Sequence, residues 1–198
     1  LQKNKKALIA SSNKGKIEEF QKIFSELDLV SLRDLEIHDA IEDGLSFLEN
    51  AILKARHGAR HSELYSIADD SGLVVPDLNF QPGIYSARYA GENANDKLNR
   101  EKLRASIANF GKESLDAYYV CIIVGMHDEN DPMPIVASGK IHGKVSIQES
   151  GEGGFGYDKL FYPDGYDMSM ASISADIKNS ISHRGIAAKQ FIEKFRAN

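Results

Sequence analysis

The sequence predicts an α/β protein with a mixed sheet, and three observations carry that prediction. Short apolar runs alternate with helix-period segments through the first half of the chain. Strand-like runs then cluster between residues 117 and 147. A helix-period stretch carrying Ala187, Phe191 and Phe195 closes the chain.

Taken in order, Ala7–Ala10 reads as a short buried strand. After Ser11-Ser12-Asn13 a helix follows, with Ile17, Phe20, Phe24 and Leu27 on one face. Leu29–Ala40 is a mixed stretch of strand and turn, and Ile41–Gly44 a polar connector. Ser46-Phe47-Leu48-Glu49 has the capping-box pattern, so a second helix starts there, with a stripe of Leu48, Ile52, Ala55 and Ala59. Tyr65–Ala68 reads as a strand that runs into a turn at Asp69-Asp70-Ser71-Gly72, with Leu73–Val75 extended beyond it. Phe80–Asn93 is a loop containing Gly, Pro and Tyr. A third helix is expected over Asn95–Asn109, carrying Leu98, Leu103 and Ile107. Ala117–Met126 is the strongest strand and so apolar that both faces should be covered. His127–Pro132 is its turn, Ile135–Ile147 one or two strands, Gly151–Gly156 a glycine-rich loop and Leu160–Tyr162 a short strand.

The 198 residues suit one domain, or one domain in two lobes, since domains run ~100–200 residues. A composition of 42% hydrophobic and 27% charged residues is ordinary for a globular protein and argues against disorder. A net charge of −5 with no basic stripe argues against general nucleic-acid binding. No apolar run approaches the ~18–20 residues of a membrane span. The start, Leu1 to Lys6, is basic, but Ala7–Ala10 is too short for the apolar region of a signal peptide, so the cytoplasm is expected. Cys121, the single cysteine, sits in an apolar run and reads as a small buried hydrophobe.

Four segments carry chemistry. Ser11-Ser12-Asn13-Lys14-Gly15-Lys16 stands at a strand-to-helix turn, with lysines where acids are normal. It is either an anion site, with Gly15 admitting close approach, or a solvated helix start with an ordinary cap. Asp69 and Asp70 offer hard oxygen ligands of the kind magnesium takes, or form an Asx-type turn. Neighbouring strand residues face opposite ways, so one of the two is expected in any one site. Glu42, Asp43 and Lys54 add charge that could equally be solvated. In Phe155-Gly156-Tyr157-Asp158 the aromatics either face a planar base or return to the core. Lys178, His183 and Arg184 form the fourth group. His183 and Arg184 could read the oxygen edge of a base, or serve as a helix cap and a surface ion pair.

In this order the segments resemble the inosine/xanthosine triphosphate pyrophosphatase family. The matching stretches are Ser11–Glu19, Glu42–Arg56, Ala68–Leu73, Pro82–Gly91, Gly153–Asp158 and Ser182–Gly185. The resemblance implies hydrolysis of ITP, dITP and XTP to the monophosphate and pyrophosphate. It also implies magnesium, a homodimer, and an elongated twisted sheet flanked by helices, in two lobes with the active cleft between them. By match to the family's motifs, Ser11–Lys16 hold phosphates and sugar, and Asp70 is general base and metal ligand. Glu42 supports the metal, Ser71 touches the substrate, and Phe155–Asp158, Lys178, His183 and Arg184 line the nucleotide. Lys16, Lys54 and Lys178, with the metal, offset the triphosphate charge. Two departures stand out: Ser11-Ser12 where the family usually has Thr-Gly, and Lys159 where proline is common. The alternatives are a pyrophosphatase for other modified nucleotides and a nucleotide-binding sensor without catalysis.

Overall fold

The computed structural model describes residues 6–197; residues 1–5, most of the basic start, and Asn198 lie outside them. The strands are β1 (Lys6–Ile9), β2 (Asp28–Ser31), β3 (Tyr65–Val74), β4 (Ser114–Met126), β5 (Ile135–Ser146) and β6 (Phe161–Pro163). The helices are α1 (Lys14–Ile23), α2 (Phe47–Ser62), α3 (Asp96–Asn109), α4 (Ala175–Ile181) and α5 (His183–Ala197). One open six-stranded sheet runs in the order β2-β1-β3-β4-β5-β6. β1 is parallel to both β2 and β3, and β5 is antiparallel to β6, so the sheet is mixed as expected.

The chain divides into two compact units, and each is assembled from separate stretches. Of the described residues, the first takes those up to 70, 121–139 and those from 185 onward; the second comprises 71–120 and 140–184. The boundaries fall inside β3, β4, β5 and α5.

In the first unit, strand alternation separates two apolar layers. Ala7, Ile9, Tyr65, Ile67, Cys121 and Ile123 pack with Phe20 and Phe24 of the α1 segment and with Phe191 of α5. Leu8, Ala10, Ala68, Val124 and Met126 pack with Ala51 and Ala55 of α2. Odd and even positions of β1 and β3 thus serve different helices, as a two-residue period requires. The neighbours of β1 are reached in turn on its two sides, β2 first and β3 after it. The carboxyl end of such a strand is a topological switch point, where open α/β sheets bind ligands. Ser11–Lys16 follow that end.

The second unit has its own core, in which Leu103 and Ile107 of α3 meet Leu73, Tyr119, Val145, Tyr157, Leu160 and Phe161.

Several expectations change. Asp69-Asp70-Ser71-Gly72 is not a turn: β3, which lies between β1 and β4 in the sheet, continues through it to Val74, with Asp69, Asp70 and Gly72 buried and Ser71 half-buried. Of the expected α2 stripe, Ala55 and Ala59 are buried and Ile52 is partly buried against the core, while Leu48 is exposed; Asn50, Ala51, Lys54 and Gly58 complete the buried face, so it is mainly small and polar. Leu98 is exposed on α3, whose inner face is Asn99, Leu103 and Ile107. The 3-10 helix Gly83–Arg88 lies within the stretch read as loop. β4 is covered on both faces only in its second half; from Ser114 to Ala117 exposed and buried residues alternate. Ile135–Ser146 is one strand. α4 was not foreseen; at seven residues it is too short to show a helical stripe, although Ser174 and Asp176 mark its start.

The close approach of α2 depends on Gly58. Alanine in a helix interior is normally favoured over glycine by ~1 kcal/mol. Here a Cβ would collide with Ser66 Oγ and lie 2.7 Å from Leu8 Cδ2 and 3.0 Å from Ala10 Cβ. Overpacking of this kind costs ~1–3 kcal/mol. Gly58→Ala is therefore expected to lower stability by up to about 2 kcal/mol in urea denaturation. A variant at least as stable as the parent would show that α2 tolerates displacement from the sheet.

Candidate active site

The first unit gathers charged side chains from four elements. Asn13 caps α1, its side chain accepting from Lys16 N–H at 3.1 Å, and Ser11 Oγ accepts from Asn13 N–H at 3.2 Å. The first turn of α1 has no acid, as the sequence indicated. Its two lysines part company. The Lys14 side chain is 92% exposed, whereas Lys16 turns inward to Asp69 Oδ2 at 2.9 Å. Ser12 is exposed and Gly15 half-buried.

Asp69 and Asp70 follow the parity of β3. Asp69 faces the α1 layer, where it meets Lys16 and lies 3.9 Å from the Cys121 thiol. Cys121 is buried as expected, and its Sγ also meets this carboxylate. Asp70 faces α2. Its Oδ1 accepts from Lys54 Nζ at 3.3 Å and its Oδ2 from Asn50 Nδ2 at 3.1 Å. Lys54 Nζ also meets Glu42 Oε1 at 2.9 Å, so one ammonium joins the carboxylates of the connector and the strand. Lys54 is only 9% exposed, far from the solvated helix lysine its type suggests.

Burial is the main force raising the Asp70 carboxyl above the ordinary range. Lys54 and Lys16 pull it back, and Glu42 and Asp69 push it further up. For Lys54, burial favours the neutral amine, but Asp70, Asp69 and Glu42 together outweigh it and hold the ammonium above its usual value. Both shifts have one sense: Asp70 and Lys54 each hold a proton more firmly than the free groups do.

The donor set also bears on a metal. Among the described residues no three His, Cys, Asp or Glu side chains gather into a cage. Glu42 and Asp70 nevertheless bring oxygens to one cation, the Lys54 ammonium. That pattern fits an ion taking one or two carboxylates and completing its shell with water and phosphate, as magnesium does.

The second unit holds the other candidates. Gly154 has φ +72°, and a Cβ there would strike the Asp158 carboxylate, so the glycine is needed on both counts. The Asp158 carboxylate accepts from Phe155 N–H at 3.1 Å and from Lys178 Nζ at 2.8 Å. The Phe155 ring has the Lys178 ammonium 5.1 Å and the Arg184 guanidinium 4.9 Å from its centroid. Gly156 N–H donates to Asp96 Oδ2 at 2.7 Å, which ties the loop to α3. Tyr157 does not share the Phe155 setting. Its ring is in the core, and its hydroxyl donates to Ser86 O at 2.7 Å.

His183 and Arg184 are buried at the start of α5. His183 stacks on Tyr119 with ring centroids 4.6 Å apart and planes within 7°. Arg184 Nη2 donates to Ser71 Oγ at 3.1 Å. Burial first, and Asp158 second, keep the Tyr119 phenol well above its ordinary pKa. Asn50 and Tyr119 thus belong to these clusters, although sequence reasoning did not single them out as site residues. For Asn50 a signal existed: a polar residue one turn before Lys54, beside the Ala51–Ala55 stripe.

These features define an α/β protein of the open-sheet class, with a carboxylate–lysine cluster at its parallel switch point and a cation-flanked aromatic loop in its second unit. The chain belongs to the Ham1 family, whose sequence model matches residues 7–194. It is 48% identical to the dITP/XTP pyrophosphatase of Legionella pneumophila over 94% of this chain and 96% of that protein. It is 48% identical to the dITP/XTP pyrophosphatase of Acinetobacter baylyi over 94% and 91%, respectively. Among solved structures, the HAM1 protein of Coxiella burnetii superposes with a TM-score of 0.90 at 35% identity, covering 98% of this chain and 100% of that one.

Asp70 offers a test of the electrostatics. Its folded pKa is raised, so its contribution to stability is fully present below the unfolded value of ~3.9 and is lost as pH rises through the folded value. At neutral pH the ionised carboxylate opposes folding, and a neutral amide should not. The Tm of metal-free Asp70→Asn relative to the parent is expected to increase as pH rises from about 4 towards 8. A relative Tm that is flat or falling over that range would show that Asp70 ionises without penalty.

Proposed function

We propose that this protein is an enzyme that hydrolyses the non-canonical purine nucleoside triphosphates ITP, dITP and XTP to the monophosphate and pyrophosphate, clearing them from the nucleotide pool. The observation that carries the reading is the setting of Asp70. It is a buried carboxylate with a raised pKa, fixed by Lys54 and Asn50 beside Glu42. A general base needs that placement and that tuning. The names of the relatives, matched along nearly the whole chain, supply the substrate class.

In this reading Asp70 takes the proton of the attacking water as the bond between the α- and β-phosphates breaks and pyrophosphate departs. Ser11, Ser12, Asn13, Lys14, Gly15 and Lys16 hold phosphates and sugar at the switch point. Lys16, Lys54 and Lys178 offset the charge of the triphosphate. Catalysis of phosphoryl transfer is mostly positioning and electrostatic stabilisation, which such a set supplies. Magnesium is the proposed cofactor, with Glu42 and Asp70 as its protein ligands. When bound, it polarises phosphate oxygens and lowers the pKa of a bound water.

Ser71, Phe155, Gly156, Asp158, Lys178, His183 and Arg184 are assigned to the nucleotide, with Tyr157 as the support beneath the loop. Hypoxanthine and xanthine carry an oxygen at C6 where adenine carries an amine. Donors from His183, Arg184 or backbone N–H groups pair with the oxygen and are stranded by the amine. Guanine shares the C6 oxygen, so its rejection requires a pocket that disfavours the 2-amino group. Homodimeric assembly and a cytoplasmic place of action complete the proposal. No helix among the described residues is long and apolar enough to cross a membrane.

The test is pyrophosphate release from ITP, dITP, XTP, ATP and GTP, with magnesium and after its removal by chelation. Magnesium-dependent release is expected from the first three, at least ~10²-fold faster than from ATP or GTP. Equal rates with GTP would refute the proposed base selection while keeping the chemistry. Release from none of the five would refute the enzyme reading.

A further inference from the structure

Asn50 is fully buried on α2, one turn before Lys54. A buried polar group left unbonded costs ~1–3 kcal/mol, so an asparagine in such a place needs partners at both ends of its amide. It has them. Oδ1 accepts from Gly44 N–H at 2.9 Å, and Nδ2 donates to Asp70 Oδ2 at 3.1 Å. The partners also decide which end is which, since Gly44 offers only a donor and the carboxylate only acceptors.

Gly44 stands two residues after Glu42, in the connector that leads into α2. A Cβ on Gly44 would lie 2.7 Å from Asn50 Oδ1, so the connector is drawn as close to the amide as its backbone permits. One planar amide therefore ties the segment bearing Glu42 to the strand bearing Asp70. Lys54 also links these two carboxylates, but through an ammonium. An ammonium is a compact charge with rotatable donors that holds a distance; the amide additionally fixes an orientation.

We propose that Asn50 is a positioning residue for the hydrolysis: its amide sets Asp70 and the Glu42 connector in one register, so that both carboxylates serve the same divalent ion. The inference rests on the proposed function, and the experiment keeps the two separable.

Asn50→Ala, Gly44→Ala and the double variant would be compared with the parent in two measurements. One is the binding of Mn2+ alone, without nucleotide, by electron paramagnetic resonance. The other is steady-state pyrophosphate release from ITP with magnesium. Each single variant is expected to weaken Mn2+ binding and lower kcat by about 10- to 100-fold, with KM for ITP within about 3-fold of the parent. The double variant should be little worse than the poorer single one, because both act on one contact. A lowered Tm with Mn2+ affinity and kcat of the folded protein unchanged would overturn the proposal, since that is what a purely structural asparagine gives. Gly44→Ala leaves the buried amide present, so it carries the test should Asn50→Ala fold poorly. A parent that binds Mn2+ but releases no pyrophosphate would overturn the enzyme reading, and the Mn2+ comparison would then judge Asn50 alone.

Discussion

The candidate site depends on a geometric constraint: successive side chains of a strand point to opposite faces of the sheet. Asp69 and Asp70 are neighbours in β3, so they cannot share one set of partners. Asp69 goes to the α1 layer and meets Lys16; Asp70 goes to the α2 layer and meets Lys54 and Asn50. Each helix brings a cation to the carboxylate on its own side. Burying either carboxylate without such a partner would cost several kcal/mol, so the helices and the acid pair require one another.

The reach of α2 follows from its small inner residues. Ala51, Ala55, Gly58 and Ala59 let the helix settle against β1 and β3, and Asn50 and Lys54 ride on the same buried face. A large apolar side chain at Gly58 would lift the helix and withdraw both polar residues from Asp70. The apolar stripe and the polar pair are thus one design, with packing setting the distance that the hydrogen bonds use. Burial then raises the Asp70 pKa, while at Lys54 it opposes the charge and the carboxylates of Asp70, Asp69 and Glu42 outweigh it.

The second unit works by different means. Its loop is held by Asp158, which collects Phe155 N–H and the Lys178 ammonium, and by Tyr157, which anchors in the core through its ring and in Ser86 through its hydroxyl. Phe155 keeps its ring beside two cations, and His183 is kept in plane by Tyr119. Rigid support of this kind suits the reading of a flat ring by shape and donors.

The sequence by itself determined the fold class, most of the helices and strands, and the segments that matter chemically. Apolar period, the Ser46–Glu49 capping box and the acid-free start of α1 are local signals, legible because they act within a few residues. Tertiary structure alone decided which of those residues meet. Lys16 rather than Lys14 turns inward, Lys54 is buried rather than solvated, and Tyr157 belongs to the core while Phe155 does not. It also decided that Asp69-Asp70-Ser71-Gly72 remains strand, since the neighbours of β3 in the sheet outweigh a turn-like composition. Asn50 shows why: its amide is satisfied by Gly44, six residues earlier, and by Asp70, twenty residues later. A partner at that separation is set by the packing of helix on sheet, which no local pattern of residues encodes.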